Sequence, residues 1–215
     1  MKTIVNYNNS RQYIAVAGLL ISIIIFFLFS AFLKKKRGDS NNYIYNNRFV
    51  NLLNTYRNEA FIIIVWIIGL LILLKFIIML GNITSGSMEP TLMTGDICVY
   101  NRLAYTLQEP QRGDIINFVE KDSGELYSKR IIGLAGDTVE FYDGYVYLNG
   151  ELLDESGYLD EDVDTKCLDT FTVPDDCVFV LGDNRENSKD SRYFSYHYVS
   201  VYDIRAKYLF TLPWF

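Results

Sequence analysis

The sequence predicts two N-terminal transmembrane α-helices followed by a mostly antiparallel β domain. Residues 13–33 contain no charged side chain and residues 60–80 contain only Lys75, which predicts the helices. Beyond residue 81, short segments rich in β-branched and aromatic residues alternate with Gly-Asp turn signals, which predicts the β domain. The predicted organisation is an N-terminal segment at 1–12, helices at 13–33 and 60–80, a linker at 34–59 and a β domain at 81–215.

Each apolar run is long enough to cross a bilayer, because a helix rises about 1.5 Å per residue and a hydrocarbon core is roughly 30 Å thick. The first run is longer than the roughly 7 to 15 apolar residues of a cleavable signal peptide. It is also followed by the basic block KKKR at 34–37, which is typical of a stop-transfer segment. We therefore expect the first run to be retained as an anchor.

Charge is divided unevenly along the chain. Residues 1–80 carry 9 Lys/Arg and 2 Asp/Glu, whereas residues 81–215 carry 11 and 24, giving +7 and −13. By the positive-inside rule, the basic linker is cytoplasmic and the β domain is extracytoplasmic. We expect a multi-pass protein of the cell membrane with lipid as a partner. The acidic β domain argues against a nucleic-acid partner, whose phosphates it repels.

The predicted strands are marked by their turns. Gly-Asp pairs at 95–96, 113–114, 136–137 and 182–183 lie beside the apolar segments ICVY, IINF, TVEFY and VFVL. We interpret all four pairs as turns of an antiparallel sheet. The acidic segment DESGYLDEDVDTK, residues 154–166, lacks the spacing of a calcium loop, and we interpret it as a solvated loop.

The chain has three cysteines, Cys98, Cys167 and Cys177, and one histidine, His197. An extracytoplasmic domain permits a disulfide between Cys167 and Cys177, but sequence does not fix the pairing, and three free thiols remain the alternative. With one histidine and no Cys-x-x-Cys pair, the sequence predicts no metal site, and we expect no cofactor.

Two serines one residue apart, Ser85 and Ser87, lie just beyond the second apolar run in NITSGSMEPTLMTGDICVY, residues 82–100. A serine hydroxyl becomes a strong nucleophile only when a base removes its proton. His197 lies among aromatic residues, and no neighbouring group marks it as the base of a triad. A lysine serves the same purpose when burial keeps it neutral.

Lys129, in ELYSKRIIGLAGD, is the candidate base. Strand alternation places it on one face with Tyr127 and Ile131, and turns Arg130 to the other face. Taken alone, a lysine in such a strand is more often a surface residue. A third segment, VFVLGDNRENSKDSRYFS at 178–195, forms either a solvated turn or a polar shell that orients a buried amine.

Four segments, SGSMEPTLMTGD, RGDIINF, YSKRIIGLAGD and GDNRENSKDSRYF, resemble in order and content the bacterial type I signal peptidases, also called leader peptidases. The resemblance covers roughly residues 83–195 and includes the preceding anchors. It implies a signal-peptidase-type β fold with a small inserted lobe. It also implies a membrane-bound serine endopeptidase with a Ser/Lys dyad that removes signal peptides from secreted preproteins after small-x-small (Ala-x-Ala) sites.

The resemblance also implies roles for individual residues. Ser87 would be the nucleophile and Lys129 the general base, and the Ser87 N–H with the Ser85 hydroxyl would form the oxyanion hole. Ser188 would orient the Lys129 amine, braced by Asp190 and Arg192. The shallow pockets for small substrate side chains would be lined by Ile83, Met88, Leu92 and Tyr127.

The sequence departs from the family pattern at two positions, since Ser128 replaces a commonly apolar residue and no proline precedes Ser85. Two other interpretations compete with this one. The self-cleaving repressors of the SOS response are also Ser/Lys enzymes, but two membrane runs and the lack of a helix-turn-helix pattern count against them. A non-enzymatic domain that only binds signal peptides would not need both the serine and the lysine.

Overall fold

The computed structural model describes residues 48–160 and 163–212, which fall into two compact units that meet in sequence between Ile77 and Ile78. The described part of the first unit is one helix, α1 (Arg48–Ile77). Its stretch Ala60–Ile77 has a mean hydropathy of 3.0 and is long and apolar enough to cross a membrane, judged by length and composition. The first predicted helix, residues 13–33, lies outside the described residues, so a second span stays a prediction.

The second predicted helix, residues 60–80, differs from α1 at both ends. The described helix already includes Arg48, inside the predicted linker, because helical backbone extends through residues that are too polar to mark an apolar run. It ends at Ile77 because the next residues leave the helix for a strand. Ile78, Met79 and Leu80 pair antiparallel with Asn101, Tyr100 and Val99.

The second unit contains two antiparallel sheets, which confirms the predicted β domain. The large sheet consists of β1 (Ile78–Asn82), β2 (Ile97–Asn101), β3 (Ile115–Val119), β4 (Leu126–Gly133), β9 (Cys177–Leu181), β10 (Val199–Ser200) and β11 (Ile204–Thr211). Its strand order is β1-β2-β11-β3-β4-β9-β10. The small sheet consists of β5 (Thr138–Tyr142), β6 (Tyr145–Leu148), β7 (Glu151–Leu152) and β8 (Phe171–Thr172), in the order β7-β6-β5-β8.

Three of the four Gly-Asp pairs are the predicted turns, each built in the same way. Gly95, Gly113 and Gly136 adopt φ of 98°, 86° and 86°, a left-handed conformation that favours glycine. The carboxylate of each following aspartate accepts a hydrogen bond from the N–H three residues before it, at 2.8 to 3.1 Å. The fourth pair, Gly182-Asp183, lies outside this pattern, because Gly182 packs against the segment that carries Ser87.

Hydrophobic side chains cover both faces of the large sheet. One cluster joins the two sheets and includes Ile132, Phe179 and Phe141. Ile115 and Ile116, adjacent on β3, enter two other clusters on opposite faces. Burying side chains of this size contributes roughly 1.5 to 3 kcal/mol each. Between these clusters β4 is buried from Lys129 to Gly133, so a polar side chain in that part of the strand must find a partner inside the protein.

The structure leaves the three thiols unpaired. Cys98 is buried in the cluster with Ile115, and Cys167 and Cys177 are half-buried. Of the two alternatives left open by the sequence, this structure has the free thiols.

Candidate active site

Lys129 and Ser87 meet through their side chains. The Nζ of Lys129 donates a hydrogen bond of 2.5 Å to the Oγ of Ser87. Lys129 is 3% exposed. Burial lowers the pKa of Lys129 to about 8, while the carboxylates of Asp190 and Asp183 oppose that shift. The amine is therefore partly neutral near pH 8, and a neutral amine accepts a proton from a hydroxyl.

Buried neighbours fix the position of Ser87. It lies in the 3₁₀ turn Gly86–Met88, which starts after Ser85 in an extended conformation. Met88 and Leu92 are 2% and 0% exposed, and the Leu92 N–H donates to the Met88 carbonyl at 2.9 Å. Ser87 stays half-exposed between an exposed Ser85 and a buried Met88. A buried methionine thus anchors the half-exposed serine.

The loop after β9 grips the backbone around Ser87. The Asn184 N–H donates to the Ser87 carbonyl at 3.1 Å, and the Asn184 side-chain amide donates to the Gly86 carbonyl at 3.0 Å. The hydroxyl of Ser85 lies 3.4 Å from that of Ser87 and donates to it. Ser85 and Ser87, which are separated by one residue in sequence, therefore have neighbouring hydroxyl groups.

Asp190 and Arg192, which are predicted to brace the loop, form a buried ion pair. Arg192 donates to Asp190 through Nε and Nη2, both at 2.9 Å, and also donates to the Arg185 carbonyl at 2.7 Å. Asp190 accepts a further hydrogen bond of 3.0 Å from the Gly182 N–H. Both side chains are almost fully buried, so the two charges neutralise each other away from water.

Ser188 does not make the predicted hydrogen bond to Lys129. Its Oγ is buried and has no hydrogen-bond partner among the residues that the structure describes. It lies instead against Gly182, on the side that also faces the Ser87 carbonyl. The only hydrogen bond of the Lys129 amine within the described ranges is to Ser87.

The four residues predicted to line the substrate pockets fall into two hydrophobic clusters. Ile83, Met88 and Leu92 pack in one cluster with Tyr100. Tyr127 is half-buried in another cluster, stacked on Phe194 with ring centroids 6.0 Å apart. Of the three in the first cluster, Ile83 keeps the most accessible surface, at 9% exposure.

Sequence reasoning missed a buried ion pair beside the site. Arg130 was expected to turn away from Lys129, and it does lie on the other face of β4, yet it is buried there. It donates to both carboxylate oxygens of Asp183, at 2.8 and 2.7 Å, and Thr91 donates to the same carboxylate at 2.5 Å. The signal that could have found the pair is a charge beside an apolar run, at Arg130 before IIG and at Asp183 after VFVLG.

The acidic segment 154–166 is not only a solvated loop. Glu155 forms an ion pair with Arg185 at 2.5 Å, and Tyr158 packs over Arg130. The interpretation as a solvated loop was wrong for these residues, because it considered the charge of the segment and not the buried arginines that need partners.

His197 and metal-ligating side chains do not extend this site in the described part of the chain. His197 does not contact Lys129 or Ser87; its Nδ1 lies 2.7 Å from the Ser191 carbonyl and its ring packs on Phe171. Within residues 48–160 and 163–212, no group of three or more His, Cys, Asp and Glu side chains is placed to hold a metal ion.

Comparison with known proteins places these features in a family. Residues 56–214 match the family described as signal peptidase, peptidase S26. The chain is 42% identical over 120 residues to the probable signal peptidase I-2 of Synechocystis sp., covering 53% of this chain and 54% of that protein. It is 38% identical over 122 residues to the signal peptidase I of Bacillus caldolyticus, covering 51% and 66%.

The solved structure of a signal peptidase I from Enterococcus faecalis V583 is 35% identical, with a TM-score of 0.40, and the match covers 46% of this chain and 97% of that one. The chain spans between about half and two thirds of the length of the first two curated relatives. Because the family match extends over most of its length, the chain belongs to the signal peptidase family, peptidase S26.

Proposed function

We propose that this protein is a membrane-bound serine endopeptidase that removes N-terminal signal peptides from secreted preproteins after small-x-small sites. The observation that carries the proposal is the hydrogen bond of 2.5 Å between a buried Lys129 amine and the Ser87 hydroxyl. A buried lysine with a pKa lowered to about 8, next to a half-exposed serine, is typical of a catalytic base that acts in its neutral form.

In the proposed mechanism, the neutral Lys129 amine takes the Ser87 proton while Oγ attacks the scissile carbonyl carbon. The oxyanion that forms is stabilised by the Ser87 N–H and by the Ser85 hydroxyl, which already lies 3.4 Å from the Ser87 Oγ. The resulting Lys129 ammonium donates its proton to the leaving amine. A water molecule, deprotonated by the same lysine, then hydrolyses the acyl-enzyme ester and releases Ser87.

Ser188, Asp190 and Arg192 keep supporting roles in the proposal. Asp190 binds the Gly182 N–H, and Gly182 lies between Ser188 and the Ser87 carbonyl. The Ser188 Oγ, which has no partner in the described part of the chain, is available to accept a hydrogen bond from Lys129 once the amine leaves Ser87. We propose that it orients the amine at that stage.

An extended substrate has a place to bind on β4. Strand β9 pairs with β4 only from Arg130 onward, so Leu126–Lys129 have a described strand on one side alone. A peptide that pairs with this free edge would run past Lys129 and towards Ser87. We propose that preproteins bind here, with Ile83 and Tyr127, the more accessible of the predicted lining residues, limiting the size of the substrate side chains.

The proposed substrates also account for the apolar helix. Signal peptides are apolar segments that end in a small-x-small site at the membrane surface. We propose that Ala60–Ile77, together with residues 13–33, anchors the protein in the cell membrane, with the β domain on the extracytoplasmic side and lipid as its neighbour.

The deciding experiment uses the full chain, purified in detergent, and a preprotein with an Ala-x-Ala site. We expect cleavage after that site by the wild type and by Ser195→Ala and Lys166→Ala, which change an exposed serine and an exposed lysine. Ser87→Ala and Lys129→Ala should be inactive. If the wild type bound the preprotein without cleaving it, a non-enzymatic domain would be favoured instead. Full activity of Ser87→Ala or of Lys129→Ala would refute the dyad.

A further inference from the structure

Part of the acidic segment folds back onto the loop that follows β9. The Glu155 carboxylate accepts hydrogen bonds from both terminal nitrogens of Arg185, at 2.5 and 3.1 Å. Thr165, from the end of the same segment, accepts a third at 2.7 Å. The Arg185 side chain is 0% exposed. A guanidinium removed from water in this way depends on these oxygens for its stability.

Tyr158 connects this ion pair to a second arginine. Its hydroxyl donates to Glu155 at 2.7 Å, and the centroid of its ring lies 4.0 Å from the guanidinium carbon of Arg130. Burial, followed by the charge of Glu155, raises the pKa of Tyr158, so the hydroxyl stays protonated and remains a donor. One carboxylate and one ring thus contact two buried arginines.

These arginines fix the turn Gly182–Arg185 from both sides. Arg185 donates through Nε to the Gly182 carbonyl at 3.0 Å. Arg130 holds the Asp183 carboxylate through two hydrogen bonds. The same turn supplies Asn184, which binds the carbonyls of Gly86 and Ser87. A continuous set of contacts therefore runs from the acidic segment to the backbone of the proposed nucleophile.

We infer that Glu155 and Tyr158 are positioning residues for the hydrolysis, an inference that rests on the proposed function. By holding Arg185 and Arg130, they keep the Gly182–Arg185 turn in the place from which it grips Ser87. Neither touches the reacting atoms. The other acidic side chains in the described part of the segment, those of Asp154, Asp160 and Asp164, are exposed and form no ion pair with these arginines.

A small displacement of this turn would affect turnover more than substrate binding. Loss of the Glu155 charge leaves Arg185 buried without an ionic partner. We expect the Gly182–Arg185 turn to shift to a position in which the guanidinium has another partner. A nucleophile displaced by about 1 Å can lose on the order of a hundredfold in rate. The proposed substrate edge, Leu126–Lys129, is not part of the Gly182–Arg185 turn, so the Michaelis constant should change little.

The test measures kcat and KM of the full chain in detergent, per folded molecule, for Glu155→Gln, Tyr158→Leu and Tyr158→Phe. We expect Glu155→Gln and Tyr158→Leu to lower kcat roughly tenfold or more with KM within about twofold. Tyr158→Phe keeps the ring over Arg130 and should restore much of the loss seen with leucine. Glu151→Gln and Tyr142→Phe, which change exposed residues of the small sheet, should match the wild type.

Wild-type kcat per folded molecule in both Glu155→Gln and Tyr158→Leu, or a loss expressed only in KM, would overturn the inference. If Glu155→Gln does not fold, the comparison of leucine with phenylalanine at position 158 decides it, and equal kcat values there would overturn it. The wild type and Ser87→Ala are assayed beside them. If the wild type cleaves the preprotein and the variants match it, only the positioning role is refuted. If the wild type does not cleave, the proposed function and this inference are refuted together.

Discussion

Gly182 lies directly against Ser87: a Cβ added to residue 182 would come within 2.4 Å of the Ser87 carbonyl oxygen and 2.2 Å of the Ser188 Oγ. Backbone does not move aside as the end of a flexible side chain does. We therefore expect Gly182→Ala to displace Ser87 and to lower kcat by about a hundredfold. Gly157→Ala is the matched control, since nothing lies within 4 Å of that position. Equal activity of the two variants in a preprotein cleavage assay would contradict the expectation.

The pH dependence of cleavage should follow the titration of Lys129. Only the neutral amine accepts the Ser87 proton, and burial lowers the lysine pKa to about 8. We expect kcat/KM to rise about tenfold per pH unit below that value and to level off above it. Lys129→Arg should be inactive at every pH tested, because a guanidinium stays protonated. A flat profile between pH 6 and 9, with intact protein throughout, would exclude Lys129 as the base.

The same burial should make Lys129 costly to stability. Its pKa in the folded protein is about 8, below the ordinary 10.5, so the folded state binds the proton less tightly than the unfolded state does. At pH values below 8 this difference lowers the free energy of unfolding by about 3 kcal/mol, and the penalty becomes smaller as pH rises from 8 to 10.5.

We expect Lys129→Met to raise the free energy of unfolding by roughly 1 to 3 kcal/mol at pH 7, after the loss of one hydrogen bond is subtracted. The gain should be smaller at pH 10. Urea unfolding of the full chain in detergent at both pH values measures it, with Lys166→Met at an exposed position as control. A gain that grows with pH would have the opposite sign and would contradict the argument.

The parts of the fold that could be predicted are those whose sequence signals are local. Glycine with a positive φ and an aspartate that closes the turn form a local pattern, so the turns at Gly95, Gly113 and Gly136 could be predicted from short segments. The end of α1 could not, because Ile78 and Leu80 are as apolar as the helix before them. Only the pairing of β1 with β2 turns them into a strand, and that pairing is not local.

The candidate site divides in the same way. Alternation along β4 correctly separates the faces of Lys129 and Arg130, but it cannot tell that both faces are covered. Alternation therefore does not reveal that Arg130 is buried against Asp183 and Tyr158. The roles of Glu155 and Arg185 depend on a contact across 30 residues of sequence, which no local pattern reveals.

Ser85 gives the most direct test of the proposed oxyanion hole. Its hydroxyl lies 3.4 Å from the Ser87 Oγ, and the oxyanion of a bound substrate would form close to that oxygen. Removing one such donor typically costs a factor of roughly 100 to 1,000 in kcat, while ground-state binding changes little. We expect Ser85→Ala to lose kcat on this scale with KM nearly unchanged, and Ser85→Thr, which keeps a hydroxyl, to lose less.

Ser195→Ala, at another exposed serine, should be unaffected. Because Ser85 is exposed and makes few contacts, a folding defect would not explain the loss, and full activity of Ser85→Ala would leave the backbone N–H of Ser87 as the main donor.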